Sequence, residues 1–186
     1  PGENVVTVEL AGDREQTGLI AQMYLYHRAP AQAVLSGRTD LIIKAAEVLG
    51  RRGIQAVKLP VAAAFHSSLV SDAKAPFRSA LNGVAFSPAA FPIYANTTGG
   101  PYPAAPDAAR DLLAGQLAAP VEFMAMIERM HADGVRVFVE AGPGGRLTGL
   151  IRSILSGKPH AAFGVDESGG RKPAVSDLAR VLAQLA

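Results

Sequence analysis

Short stretches of alternating or β-branched apolar residues occur four times in the first 60 residues, and two stretches of helix-forming residues lie among them. Alternation predicts strands, whereas leucine and isoleucine at helical spacing, as in DLIIKAAEVL, predict a helix. We expect Thr39 to cap that helix and Gly53 to end it. The resulting β-α-β-β-α-β order is the ferredoxin-like arrangement. Its predicted strands are 4–10, 23–28, 32–37 and 54–60, and its predicted helices are 12–22 and 39–53.

Beyond Pro60 the pattern changes to longer helical stretches with isolated strands. Pro120 divides the stretch 106–134 into two predicted helices. VRVFVE at 135–140 predicts a strand, and a glycine turn leads from it into the predicted helix of GPGGRLTGLIRSIL. Further helices are predicted over 67–83 and from about residue 174, and further strands within 91–100 and at 161–165. We expect divisions at 1–60, 61–157 and 158–186, the last being a linker and helix.

Composition and charge narrow the class of protein. With 186 residues and 49% apolar side chains, the chain can build a sizeable core. A net charge of +2 without a run of like charges indicates no nucleic-acid surface. No apolar run approaches the roughly 18 residues that span a membrane, so we expect a cytoplasmic protein. The start at Pro1 and the end within the apolar helical pattern LARVLAQLA suggest a segment of something longer.

His66 is the histidine whose surroundings suggest chemistry. The apolar run LPVAAAF before it predicts a strand that ends at the imidazole, and sites lie at strand ends in α/β proteins. The alternative is that His66 satisfies a main-chain carbonyl at the edge of the core. Ser67 and Ser68 are interpreted as helix N-caps rather than nucleophiles. The other histidines lie far from further ligand-type residues, so no metal site is expected. We also expect no bound cofactor.

Two other features limit the chemistry. The stretch VFVEAGPGGRLTGLI has the outline of a phosphate-binding turn, but it matches no phosphate-loop motif, so a tight strand-to-helix turn is the alternative. The sequence contains neither GxSxG nor cysteine, and therefore neither a hydrolase-type serine elbow nor a thiol nucleophile.

Four motifs in order resemble one family: AAFHS at 63–67, IYANTTG at 93–99, GQLAAPVEF at 115–123 and VFVEAGPGGRLTGLI at 137–151. The family is that of the malonyl-CoA:acyl carrier protein transacylases, which includes acyltransferase domains of polyketide and polyunsaturated fatty acid synthases. The tail VDESGGRKPAVSDLARVLAQL is similar to linkers that follow such domains in enediyne-type polyketide synthases and in polyunsaturated fatty acid synthases. The resemblance implies an α/β fold in which a ferredoxin-like subdomain is inserted into an α/β-hydrolase-like subdomain. Residues from 61 onward would be the C-terminal half of the larger subdomain.

The resemblance implies roles for two residues. In the family, a serine in GHSxG receives the malonyl unit from malonyl-CoA and passes it to the phosphopantetheine thiol of an acyl carrier protein. His66 matches the partner histidine, which acts as general base and acid. Gln116 matches the residue whose main-chain carbonyl orients that histidine. The serine would lie on an N-terminal half of the domain that precedes Pro1, so this chain alone is expected to be inactive.

Three further residues are implied in substrate binding. Phe65 occupies the position before the histidine, where family members that load malonyl and methylmalonyl units differ, and a phenyl ring leaves little room for an α-methyl group. Ala63 departs from the family's HAFH pattern. Asn96 lies on a loop that borders the family's site, with turn formation as its alternative role.

The resemblance also implies partners: the acyl carrier protein, the N-terminal half of the acyltransferase domain and a neighbouring ketosynthase. An alternative function is a noncatalytic docking or scaffold module derived from an acyltransferase. Hydrolysis by Ser67 or Ser68 is a third interpretation of the sequence.

Overall fold

The N-terminal part of the chain forms a four-stranded antiparallel sheet. The computed structural model describes residues 5–11, 23–29, 32–59 and 63–185. Strands β1 (Val5–Ala11), β2 (Met23–Ala29), β3 (Gln32–Arg38) and β4 (Gln55–Leu59) lie in the order β2-β3-β1-β4. Every neighbouring pair is antiparallel, and this is the sheet of a ferredoxin-like fold. The predicted helix at 12–22 lies outside the described residues.

Helix α1 (Thr39–Arg51) packs on one face of this sheet. Apolar residues at helical spacing on α1 and alternate residues of β3 form the core, because these periods place them on facing surfaces. Its buried members are Ala33, Leu35, Ile42, Ala45, Leu49 and Ile54. The other side of β3 is buried as well, through Val34 and Ser36. Both faces of β3 therefore contribute to packing.

The predicted end of α1 is confirmed, whereas its predicted cap is wrong. Gly53 follows the helix in the left-handed region, with φ +79°, as expected at a helix C-terminus. Thr39, however, is the first helical residue, and its buried hydroxyl has no hydrogen-bond partner among the described residues. Arg38 takes the N-cap position because β3 runs directly into the helix.

The prediction of a strand that ends at His66 is wrong. Residues 63–67 form turns and bends, followed by a 3₁₀ helix (Ser68–Ala73) and α2 (Lys74–Leu81). Alanine has a low strand propensity, and the left-handed φ of His66, +63°, is incompatible with a continuing strand. The helical prediction for 67–83 and the cap prediction for Ser67 are confirmed.

The middle of the chain follows the predicted order. A small hairpin joins β5 (Tyr94–Ala95) to β6 (Gly100–Pro101), and α3 (Pro106–Gly115) and α4 (Phe123–Ala132) lie on either side of Pro120. Contacts divide the chain into two compact units, Pro1–Met126 and Ile127–Ala186.

The second unit contains a parallel strand pair. Strands β7 (Val137–Pro143) and β8 (Ala161–Asp166) pair in parallel, α5 (Arg146–Ile154) connects them, and α6 (Ala174–Leu185) follows. Most of its buried side chains are apolar, among them Phe138, Leu150, Ile151, Ile154, Leu155 and Ala162. The predicted strands at 135–140 and 161–165 and the final helix are confirmed. No helix within the described residues is long and apolar enough to cross a membrane.

Candidate active site

His66 lies in a tight turn with an unusual backbone conformation. Its φ of +63° is in the left-handed region, and among the described residues it is the only non-glycine residue there. Left-handed backbone is disfavoured for residues with a Cβ atom, although histidine adopts it more often than most. Such conformations persist only where surrounding contacts enforce them, and they concentrate at functional sites.

Ser67 stabilises the turn through two hydrogen bonds of its side chain. Its side chain is fully buried, and its hydroxyl donates to the main-chain oxygen of Ala64 at 2.7 Å. The same hydroxyl accepts from the amide of Leu69 at 3.3 Å and so caps the following 3₁₀ helix. Ser67 is therefore engaged as a structural cap rather than presented as a nucleophile.

The imidazole of His66 is held through its Nδ1 atom. Nδ1 lies 3.1 Å from the main-chain oxygen of Gln116 and 3.2 Å from that of Ala119. Because carbonyl oxygens only accept hydrogen bonds, Nδ1 carries the proton in the neutral ring and Nε2 carries the lone pair. The ring is thereby set in the tautomer whose Nε2 can accept a proton. The contact with Gln116 that the family resemblance implies is present, and its catalytic role stays a prediction.

The loop that supplies these carbonyls is itself fixed. Gln116 caps the C-terminus of α3, and its side-chain amide donates to the Asn96 side-chain oxygen at 2.7 Å. The main-chain oxygen of Asn96 accepts from the amide of Glu122. Asn96 thus bridges both ends of the loop that holds His66.

Gly99 allows the hairpin that carries Asn96 to approach α4. Its φ is +66°, and a Cβ atom there would lie 3.1 Å from that of Ala125. Its amide donates to the main-chain oxygen of Ala95 at 2.9 Å, which closes the turn. Glycine meets both the conformational and the steric requirement.

Phe65 and Ala63 flank the turn at its exposed side. Phe65 is 46% exposed, so the residue is accessible to a ligand, and Ala63 is half-buried. The site thus connects His66, Gln116 and Asn96 through hydrogen bonds, with Phe65 adjacent in the chain. Sequence reasoning missed Ala119 because a main-chain acceptor leaves no side-chain signal.

The glycine turn after β7 is occupied by the protein's own carboxylate. An oxygen of Glu140 accepts from both the amide and the hydroxyl of Thr148 at 2.8 Å, at the N-terminus of α5. Burial alone would raise the pKa of Glu140, but these bonds and those from the amides of Leu147 and Arg146 outweigh it and lower the pKa. This carboxylate sits where a helix N-terminus would bind phosphate, which favours the structural turn over a phosphate site.

The two other histidines whose side chains the structure describes contact main-chain carbonyl oxygens. His131 Nε2 lies 3.0 Å from the main-chain oxygen of Pro159, and His160 Nδ1 lies 2.8 Å from that of Lys158. The side chain of His27 is outside the described part of the chain. Within that part, no group of acidic and histidine side chains could hold a metal ion.

Comparisons with known proteins point to one kind of enzyme, although no protein-family model matches the chain. The chain is 37% identical over 135 residues to the polyketide biosynthesis protein ThaF of Burkholderia thailandensis, covering 72% of this chain and 12% of ThaF. It is 36% identical over 128 residues to the polyketide biosynthesis malonyl CoA-acyl carrier protein transacylase PksC of Bacillus subtilis, covering 68% of this chain and 44% of PksC.

A solved structure extends the likeness to nearly the whole chain. The acyl-carrier-protein S-malonyltransferase of Burkholderia pseudomallei superposes with a TM-score of 0.83 at 28% identity. The match covers 98% of this chain and 60% of that enzyme. The chain therefore spans less than two thirds of the length of each of these proteins.

Proposed function

Since the chain belongs to the family of malonyl-CoA:acyl carrier protein transacylases and related synthase acyltransferase domains, we propose that it supplies the histidine-bearing part of a malonyl-transferring domain. The substrates are malonyl-CoA and the phosphopantetheine thiol of an acyl carrier protein, and no resident cofactor takes part. The observation that carries the proposal is the imidazole of His66, held in one tautomer by the carbonyls of Gln116 and Ala119.

The nucleophile in this proposal is a serine on a companion segment outside the present sequence. His66 Nε2 takes the serine proton as the serine oxygen attacks the malonyl thioester carbonyl. The tetrahedral intermediate expels the coenzyme A thiolate, which receives that proton from His66. In the second half-reaction, His66 takes the proton of the carrier thiol, the thiolate attacks the acyl-serine ester, and the serine leaves with the proton. The imidazole is regenerated after each half-reaction.

Main-chain carbonyls replace the carboxylate of a serine-histidine-aspartate triad in this arrangement. They fix the ring as a carboxylate would, but they bring only partial negative charge to the imidazolium. Gln116 is therefore proposed to act through its main chain, and Asn96 to act by fixing the loop that contains Gln116.

Phe65 supports malonyl as the acyl unit. Phe65 is exposed in the turn next to His66, and a phenyl ring beside the acyl group would limit the space for an α-methyl branch. Ala63 provides little bulk at the other end of the motif. We infer that the complete site admits malonyl more readily than methylmalonyl.

Exposed apolar side chains support the need for a companion segment. Val137 and Val139 of β7 are about half exposed, although parallel strands are normally covered on both faces. In the first unit Phe91 is 72% exposed. We propose that the remainder of the acyltransferase domain covers these residues, and that this chain alone is inactive. The scaffold alternative is not favoured, because the matched relatives include transacylases.

The domain would act together with other proteins and domains. A carrier protein is required as acyl acceptor, and we propose a multidomain synthase with an adjacent ketosynthase in the cytoplasm. The test is to incubate the complete domain with malonyl-CoA and with methylmalonyl-CoA and to compare intact masses. Preferential addition of one malonyl group supports the proposal, preferential methylmalonyl loading contradicts the role of Phe65, and loading by neither ester contradicts the function.

A further inference from the structure

Ser36 is a buried hydroxyl at the centre of the ferredoxin-like sheet. Its strand, β3, lies between β1 and β2, where Ser36 pairs with Thr7 on one side and Tyr24 on the other. The side chain points away from the face covered by α1 and is 0% exposed. A polar side chain at such a position is retained with a hydrogen-bond partner, because burial without one is costly.

The partner of Ser36 belongs to the His66 turn. The Ser36 hydroxyl donates to the main-chain oxygen of Phe65 at 3.1 Å, across 29 positions of sequence. That oxygen is part of the peptide unit that joins Phe65 to His66. The amide of the same unit, His66 N–H, donates to the main-chain oxygen of Leu117 at 2.8 Å. One peptide plane is therefore clamped at both ends, by β3 and by the loop after α3.

These two hydrogen bonds restrain two backbone torsions, ψ of Phe65 and φ of His66. A peptide plane is rigid, so rotating it changes ψ of Phe65 and φ of His66 together. The φ of His66 is in a disfavoured region, and the turn would relax if either end of the plane were released. Such relaxation would move the imidazole relative to its Gln116 and Ala119 acceptors and would move the Phe65 ring as well.

We propose that Ser36 is a positioning residue through which the ferredoxin-like sheet sets both the His66 imidazole and the Phe65 ring. This inference rests on the proposed function, because its readouts are acyl transfer and acyl selectivity. It assigns to the small subdomain an indirect part in the reaction, because strand β3 holds one side of the histidine turn. A serine with a purely structural role in the sheet would affect the stability of the domain but not its rate constants.

The test uses the complete acyltransferase domain and single-turnover acylation. Rate constants are measured for malonyl-CoA and methylmalonyl-CoA by rapid quench and intact mass. A single-turnover rate constant describes active molecules, so a partial loss of folded protein does not change it. The Ser36→Ala variant removes the hydroxyl. Val34→Ala is the matched control, since Val34 is buried on the same face of β3 but makes no part of the clamp.

We expect Ser36→Ala to lower the malonyl rate constant about fivefold or more, the factor that one neutral hydrogen bond represents. The ratio of malonyl to methylmalonyl rate constants should fall in the same variant. Val34→Ala should lower the melting temperature and leave both the rate constant and the ratio unchanged. If Ser36→Ala does not fold, Ser36→Cys, which keeps a weak donor of similar shape, should show a smaller loss in the same direction.

The results distinguish a failure of the proposed transferase function from a failure of the proposed role of Ser36. A wild-type domain that accepts neither ester overturns the proposed function itself. A wild-type domain that is acylated, together with a Ser36 variant of unchanged rate constant and ratio, overturns the role of Ser36 alone. Equal losses in Ser36→Ala and Val34→Ala also overturn it, because they indicate a general effect of disturbing β3.

Discussion

The Nδ1 atom of His66 lies 3.1 Å from the main-chain oxygen of Gln116, which lies 50 residues further along the chain. The contact orients the ring by backbone rather than by a charged side chain. Substitution of the Gln116 side chain leaves the contacting oxygen in place. The consequences of this arrangement can be tested one residue at a time.

The side chains of Asn96 and Gln116 should be energetically coupled. Asn96→Ala and Gln116→Ala each remove the same 2.7 Å hydrogen bond, and each should lower the free energy of unfolding of the complete domain by about 1 kcal/mol. The double variant should lose clearly less than the sum, since the bond is lost only once. Denaturant titration measures the cycle. Asn96→Asp keeps the acceptor oxygen and should retain more stability, whereas strictly additive losses would refute the coupling.

The left-handed backbone of His66 predicts an unusual order of stability. His66→Gly and His66→Ala both remove the imidazole, but only glycine adopts a φ of +63° without a steric penalty. His66→Gly should therefore be the more stable of the two by about 1 kcal/mol. The reverse order is expected at Ser68, which begins a 3₁₀ helix. Thermal unfolding of the four variants provides the comparison, and an alanine variant as stable as the glycine variant at His66 would contradict a strained turn.

Gly99 should not tolerate a side chain. Gly99→Ala places a methyl group against Ala125 and in left-handed backbone, so we expect a loss of about 1 kcal/mol or more. Gly100→Ala is the matched control, because its nearest neighbour would lie 4.0 Å away and its φ is not left-handed. If the two alanine variants unfold at the same temperature, the close approach of the hairpin to α4 is not a constraint.

Because of Glu140, the free energy of unfolding should depend on pH in the acidic range. Its folded-state pKa is lowered, so its charged form stabilises the fold above the unfolded value of about 4.3. That contribution is lost as the pH falls below this value and through the lowered folded pKa. The stability difference between wild type and Glu140→Gln should be largest near neutral pH and should close at acidic pH. A difference that stays constant from neutral to acidic pH would exclude a role for the charge at the N-terminus of α5.

Much of the fold could be predicted from sequence, because its elements follow local periodicity. The helical spacing of Ile42, Ala45 and Leu49, for example, depends only on which face of α1 is buried. The His66 turn could not be predicted in this way. Its two peptide hydrogen bonds reach far away in sequence: the Ser36 hydroxyl donates to the main-chain oxygen of Phe65, and the amide of His66 donates to the main-chain oxygen of Leu117. Local pattern therefore placed His66 at the end of a strand, whereas residues 63–66 form a turn.

The candidate site was accessible mainly through family resemblance. Four ordered sequence motifs point to His66 and Gln116. Ser36 is a polar residue within the largely apolar strand QAVLSG. This pattern suggests a buried hydroxyl, but it does not show which residue forms the hydrogen bond.

The most direct test of the central claim is the rate of malonyl transfer from malonyl-CoA to an acyl carrier protein by the complete domain, with His66 intact and with His66→Ala. General acid-base catalysis contributes about 10²–10⁴-fold, so the variant should be slower by a factor in that range while remaining folded by circular dichroism. A folded His66→Ala domain that transfers malonyl at the wild-type rate would contradict the account.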